Sequence, residues 1–303
     1  MRKPTFSSRQ KAWLFIVALA LLGILIADIL IEHGLSKSAA FYIGIPGLTA
    51  LVAAAGKPKN IMATTMQATT IGLALSIPLL KEGAICILMA APIIYGVAAF
   101  VAVVIDSIRN DPNFSAWALL ALASVASVEG TTTTSIIEAN HTIVRSAVVE
   151  ASAQDVRRAL SGSPTSGLNR PIFLRIFPEP AQVSGGGIEP GDRRQLTFVY
   201  AKWLVANEHH GTATFEVVES GKNSVRFDLF EDDSYVSNYL VWQDFVVTIL
   251  PMTDGTTSIA ISVTYERSLA PSWYFGPLQA YTVGLMTDVL LADLAAMSEE
   301  EET

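Results

Sequence analysis

The sequence predicts an α-helical membrane domain of about five spans, followed by an α+β domain with an antiparallel sheet and a long C-terminal helix. Three observations lead there. Polarity changes abruptly near residue 130. Before the change lie five apolar runs, at residues 13–31, 39–56, 61–80, 84–105 and 114–128. After it, the period switches to strand-like alternation punctuated by turn residues. A bilayer core about 30 Å thick requires about 20 apolar residues as helix. Four runs reach or approach that length; the fifth is short, and either borrows the uncharged residues 130–135 to reach the far interface or is interfacial. The 51% hydrophobic fraction and mean hydropathy of +0.42 fit a membrane protein diluted by a water-soluble part.

The boundaries that follow are 1–130 for the membrane domain, 131–140 for a linker, 141–297 for the soluble domain and 298–303 for an acidic tail. The net charge of −8 is unevenly held. Residues 1–130 carry nine Lys/Arg and six Asp/Glu, whereas 131–303 carry eleven and twenty-two. So acidic a soluble domain argues against nucleic-acid binding, because neutralising phosphates needs a basic face. It argues equally against strong electrostatic docking on anionic lipid. Cys86, the single cysteine, lies in an apolar run and reads as a buried, inert thiol.

The first run follows Arg2, Lys3, Arg9 and Lys11, but exceeds the 7–15 residues of a signal core and leads into another apolar run. It reads as a retained helix. Lys57 and Lys59 mark the second loop and Arg109 the fourth, while Lys37 and Lys81 are each accompanied by an acid, Glu32 and Glu82. By the positive-inside rule the N-terminus is cytoplasmic. If the fifth run crosses, the C-terminal domain is extracytoplasmic, in a plasma or inner membrane.

Asp28 and Asp106 come nearest the span interiors, yet each is within about one turn of a helix end and reads as interfacial. Thr64, Thr65, Thr69, Thr70 and Ser76 crowd the third run. Such hydroxyls bond backbone carbonyls or neighbouring helices. Pro46, Pro78 and Pro92 reflect the tolerance of membrane helices for proline, with no inverted repeat to suggest a transport path.

In the soluble part, 142–149 alternates as a strand, and Ser152 with Asp155 starts a short helix at 153–160. A loop follows at 161–167, then a short apolar piece at 172–177 between prolines. Gly185–Gly187 and Gly191 are turn chemistry. Five strands follow, at 194–200, 212–218, 224–230, 238–250 and 256–267, with turns at Gly221 and at Asp254-Gly255. The final helix spans 272–297 after Pro271. Its length would allow a sixth span, but Gln279, Asp288 and Asp293 oppose insertion at about 2.5–3.5 kcal/mol for each central Asp. Packing on the sheet explains it at less cost.

Residues 142–156 (TIVRSAVVEASAQDV) resemble the first strand and first helix of the START-like superfamily (SRPBCC, polyketide cyclase/dehydratase-like). Residues 172–180 (IFLRIFPEP), 191–194 (GDRR) and 265–274 (YERSLAPSWY) are similar to a mostly uncharacterised, membrane-attached subgroup of it. The resemblance covers about residues 138–297. It implies a helix-grip fold, a curved antiparallel sheet around the long helix with an apolar cavity between, and lipid, sterol or polyketide-like ligands. It supplies no reaction, since no catalytic set matches.

The aromatics Phe198, Tyr200, Phe215, Phe227, Tyr239, Trp242 and Phe245 exceed what a thin, half-wet sheet needs. With Trp273, Tyr274 and Tyr281 on the final helix they are the candidate ligand lining. No metal, cofactor or catalytic residue is indicated. His209 and His210 are adjacent and diverge on a strand, Glu231–Asp233 lacks the other ligands of a calcium loop, and Ser184–Gly187 lacks the Lys-Ser/Thr of a phosphate loop. The expected partners are membrane lipid and a hydrophobic small molecule. A cyclase- or hydrolase-like enzyme using the same cavity, or a sensor binding a protein, are the alternatives. The sequence leaves the oligomeric state open.

Overall fold

The computed structural model describes residues 8–30, 39–55, 60–80, 84–110, 117–130, 137–162, 170–177, 179–201 and 208–300. Most of the loop lysines used for topology, most of the loop at 161–167, Trp203 and the last residues of the acidic tail lie outside them. The chain divides into two compact units. One comprises residues 1–137 and 269–276, the other 138–268 and 277–303.

In the first unit, the described elements are helices. It holds α1 (Ser8–Leu30), a π-helical turn (Ala40–Gly44) leading into α2 (Ile45–Ala55), α3 (Ile61–Leu80), α4 (Ala84–Asn110) and α5 (Trp117–Ala126). Its core joins Leu21, Ala50, Leu51, Ile61, Val101, Ile105, Ile108 and Leu120. The opposite faces are just as apolar. Phe15, Val52, Ile71, Leu122 and Val125 are each at least 60% exposed. Asn60 starts α3 by accepting from the Ala63 N–H. Two hydroxyls on α3 bond as the sequence suggests: Thr64 donates to Asn60 O, and Thr70 donates to Met66 O while meeting Tyr95 Oη on α4 at 2.8 Å. Those of Thr65 and Thr69 are buried with no hydrogen-bond partner among the described residues.

Among the described residues two helical stretches are long and apolar enough to cross a membrane, Met89–Asn110 and Ser272–Glu299. Leu14–Ile24 and Phe41–Ala53 are shorter apolar stretches. The second of the long ones belongs to α7 (Ser272–Glu300), whose length is explained below by a sheet.

Residues 269–276 pack within the first unit. Buried Glu129 accepts from the Ser272 N–H at 3.1 Å, placing a carboxylate against the positive end of α7. Tyr274 Oη donates to Met89 O at 2.7 Å, and the rings of Phe275 and Tyr42 meet edge to face at 4.6 Å.

The second unit is a seven-stranded antiparallel sheet, order β1-β7-β6-β5-β4-β3-β2. Its strands are β1 (Asn140–Val149), β2 (Pro180–Gly185), β3 (Arg193–Ala201), β4 (Glu208–Ser220), β5 (Ser224–Asp232), β6 (Leu240–Pro251) and β7 (Thr257–Arg267). α6 (Ala153–Ser161) follows β1 and is capped by Ser152, whose hydroxyl accepts from the Asp155 N–H. A 3-10 turn (Ile172–Ile176) occupies the short apolar piece.

Two differences from the sequence reading have clear causes. β2 is an additional edge strand, not visible as alternation because its residues are mostly small and half exposed, and a bulge interrupts its pairing at Pro180/Gln182. Tyr239 lies outside a strand: Tyr235–Asn238 forms a 3-10 turn and β6 begins at Leu240.

Pairing is long and regular where it matters. β1 and β7 match from Asn140↔Glu266 to Val149↔Thr257. Bulges on β4, β5 and β6 bend the sheet. One face carries the buried set Val149, Phe215, Val217, Val225, Phe227, Val247, Ile249, Ile259, Ile261, Val263 and Tyr265. α7 covers this face through Val283, Leu291 and Leu294.

Three contacts fix its course over the sheet. Gln279 Nε2 donates to Tyr239 O, Asp288 pairs with Arg145 at 2.9 Å, and Glu299 accepts from the Glu150 N–H. The 10 residues of β1 span about 33 Å, and the helix from Gln279 to Glu299 about 30 Å. From Gln279 onward, helix and strand are matched in length. A curved antiparallel sheet gripping a long C-terminal helix is the helix-grip arrangement.

Ile259, fully buried at the centre of β7, tests this packing. Ile259→Ala should destabilise the second unit by about 2–5 kcal/mol. Val148→Ala, on the outward face, should stay within about 0.5 kcal/mol. Urea unfolding followed by near-ultraviolet circular dichroism separates the two.

Candidate functional site

Strand alternation decides which side chains can meet under α7. The inward positions are His141, Ile143, Arg145, Ala147 and Val149 on β1, facing Tyr265, Val263, Ile261, Ile259 and Thr257 on β7. On β6 they are Leu240, Trp242, Phe245, Val247 and Ile249; the bulge at Trp242/Asp244 keeps Trp242 and Phe245 on one face. β5 adds Val225, Phe227, Leu229 and Asp232, β4 Ala213, Phe215 and Val217, and β3 Arg194, Leu196 and Phe198.

The two ends of this face differ in character. At the end of Val149, Thr257 and Ile249, the space is packed solid. Val156, Ala159 and Leu160 of α6 and Leu291 and Leu294 of α7 are all buried against it. Thr257 is satisfied by Ala151 O at 2.7 Å. Arg194 reaches from β3 to Leu160 O and Gly187 O, and its guanidinium lies 5.0 Å from the Phe227 ring. Burial lowers its pKa to about 10, so it remains charged at neutral pH.

The opposite end is aromatic and polar. A row of rings crosses the sheet: Phe215 to Phe245 at 4.9 Å, Phe245 to Trp242 at 5.6 Å, Trp242 to Tyr265 at 6.3 Å, and Tyr265 to His141 at 5.9 Å. Phe198, Trp242 and Phe245 are only partly buried although they face inward. Sheet and helix do not close over them as they do at the other end.

Polar atoms collect at this same end. Tyr265 Oη, His141 Nε2, Asp232 Oδ2, Ser234 Oγ and Gln279 Oε1 are buried with no hydrogen-bond partner among the described residues. Interiors rarely leave such groups unsatisfied, and each costs about 1–3 kcal/mol. Burial raises the Tyr265 pKa above its ordinary value, keeping the hydroxyl a donor. Burial also raises the Asp232 pKa, against the Ser234 N–H that donates to Oδ1 at 2.9 Å.

Six of the ten residues singled out in the sequence, Phe198, Phe215, Phe227, Tyr239, Trp242 and Phe245, are brought to this face or its edge. Tyr239 is at the edge, where its carbonyl receives Gln279 and its hydroxyl meets Tyr235 Oη at 2.9 Å. Tyr200 lies on β3, but its side chain is outside the described residues. Trp273 and Tyr274 belong to the first unit, Trp273 being 50% exposed. Tyr281 is 57% exposed and stacks edge to face on Phe173 at 5.5 Å.

The residues missed were His141, Asp232, Tyr265 and Gln279. Only strand parity could have found the first three, and it needed the correct bulges. Among the described residues no three His, Cys, Asp or Glu side chains gather as a metal site would require.

No family model matches the chain, and no curated protein matches it. Similar solved structures include norcoclaurine synthase from Thalictrum flavum in complex with dopamine and hydroxybenzaldehyde, at 17% identity and a TM-score of 0.36, covering 57% of this chain and 96% of that one. A START superfamily protein from Mycobacterium smegmatis has 16% identity and a TM-score of 0.34, covering 53% and 98%.

Asp232 gives a pH test. Its folded pKa is raised above the unfolded value, so its contribution is fully present below about pH 4 and is lost as pH rises through the folded pKa. Asp232→Asn should match the wild type in acid and become the more stable protein near neutral pH. Melting temperatures of both proteins across about pH 4–7 check this.

Proposed function

We propose that this is an integral membrane protein whose C-terminal domain holds a hydrophobic small molecule, lipid or polyketide-like, between the sheet and α7. The observation that carries the reading is the partial exposure of Trp242, Phe245 and Phe198 on the inward face, beside a core that is solid at its other end. Apolar surface left open inside a domain is stabilised by an apolar occupant, at about 25 cal/mol per Å² buried before the entropic costs of binding.

The membrane assignment rests on the first unit. Its helices are apolar on the faces turned away from their own core, as lipid contact requires and water does not favour. α1 (23 residues), α3 (20 residues) and α4 (27 residues) have spanning length. α2 and α5, at 11 and 10 residues, are short as helices, and the five-span count takes them together with their flanking segments. The Lys/Arg distribution supports a cytoplasmic N-terminus and, with the fifth run crossing, an extracytoplasmic C-terminal domain. The acidic soluble part favours a neutral apolar ligand and membrane lipid over nucleic acid as partners.

An enzyme is the second reading, favoured by one observation: ionisable His141, Tyr265 and Asp232 sit at the same end of the inward face. Yet the His141 and Tyr265 rings are stacked, at 24°, and are not hydrogen-bonded. General acid–base work needs groups within hydrogen-bond reach of one reacting atom.

Tryptophan fluorescence of the full-length protein, titrated with lipid extract, fatty acids or sterols, should change saturably. Trp242→Ala should weaken binding by about ten-fold, the loss of one large buried contact. No saturable response to any lipid class would sink the ligand reading. A reporter active only outside the cytoplasm, fused after Thr303, should give signal; signal from a cytoplasm-only reporter would overturn the topology.

A further inference from the structure

The unpartnered polar atoms lie beside the aromatic row, and two of them specify what an occupant must offer. Tyr265 is fully buried, and its Oη has no partner among the described residues. Gln279 is 5% exposed; its Nε2 is committed to Tyr239 O at 2.9 Å, which turns Oε1, also without a partner, to the interior. Register brings the two to the same end of the inward face. Tyr239 immediately precedes the Leu240↔Arg267 pair, and Tyr265 is the next inward position along β7.

We propose that this end reads the hydroxyl head of an otherwise apolar, alcohol-type ligand, with Tyr265 as donor and Gln279 Oε1 as acceptor. The inference rests on the ligand-binding reading above and narrows it.

The chemistry follows from the inventory of donors and acceptors. An amide oxygen accepts only, and a phenol both donates and accepts. A ligand hydroxyl donates a hydrogen bond to Gln279 Oε1 and accepts one from Tyr265 Oη, so both buried atoms are satisfied at once. A carboxylate has no proton to give. It would satisfy Tyr265 but face Gln279 Oε1 with like partial charge, and it would carry its own charge into the site. Asp232, on the inward face at the same end, repels an anion further when ionised. Arg267 is the cation there; its Nη2 donates to Glu138 O, a bond that leaves its charge in place, so the preference for a hydroxyl over a carboxylate comes from Gln279 Oε1 and Asp232. A plain hydrocarbon leaves both polar atoms unsatisfied.

The test compares two probes that differ only in the head, dodecanol and dodecanoate, on the full-length protein in amphipol at neutral pH. Binding is followed by tryptophan fluorescence and by native mass spectrometry. Dodecanol should bind at least about ten-fold more tightly than dodecanoate, the value of one satisfied hydrogen bond against one unmet acceptor. Tyr265→Phe and Gln279→Leu, each with an unchanged melting profile, should each weaken dodecanol binding by about five- to ten-fold and narrow the preference. If either substitution disturbs folding, the head-group preference of the wild type decides alone. Equal binding of the two probes, or tighter binding of dodecanoate, would overturn the proposal while leaving apolar ligand binding intact. Saturable binding of neither probe would overturn both.

Discussion

The second unit depends on one packing event, the laying of α7 along the inward face of the sheet. Seven strands in antiparallel order bury one face, and without the helix that face would present Val263, Ile259, Ile249 and Val225 to water. The helix is held by its apolar side and pinned at three polar points, Gln279, Asp288 and Glu299. Exposed ion pairs such as Arg145–Asp288 contribute little to stability, about 0–1 kcal/mol. Their value here is register. They fix which stretch of helix lies over which stretch of β1, and hence which side chains meet under it.

From that register comes the asymmetry of the interior. α6 and the C-terminal half of α7 cover one end with buried side chains. At the other, large rings on β4, β6, β7 and β1 stand in a row, and the 3-10 turn at Tyr235–Asn238 adds the partly buried Val236. The bulge at Trp242/Asp244 contributes directly. Without the extra residue, Trp242 and Phe245 would fall on opposite faces, and the row would be broken. Polar atoms without partners among the described residues gather at this same end.

α7 also takes part in the first unit. Its opening residues pack with Glu129, Met89 and Tyr42, and Pro277, which cannot donate to the helix ladder, follows at the change between units. Glu129 closes the run that ends the apolar part of the sequence. In the fold it caps a helix that begins far later in the chain.

Much was legible in the sequence because it depends on local pattern. The helix at Ile61–Leu80 appears with the bounds its apolar run suggests, the strands from β3 to β7 follow their alternation, and the turns at Gly221 and Gly255 stand between them. Five of the aromatics chosen for the lining, Phe198, Phe215, Phe227, Trp242 and Phe245, reached the inward face, since alternation sorts residues by parity. Tyr274 did not, because the sequence cannot say where along a continuous helix the neighbours change. β2 was missed because small residues carry no periodic signal. His141, Asp232, Tyr265 and Gln279 were invisible as a group, being far apart in the chain, each an ordinary polar residue on an ordinary strand or helix. The sequence by itself determined element type, order and the apolar character of each half. Only tertiary structure decided which polar atoms would be buried together, because strand register, bulges and the course of α7 are set by packing between distant segments.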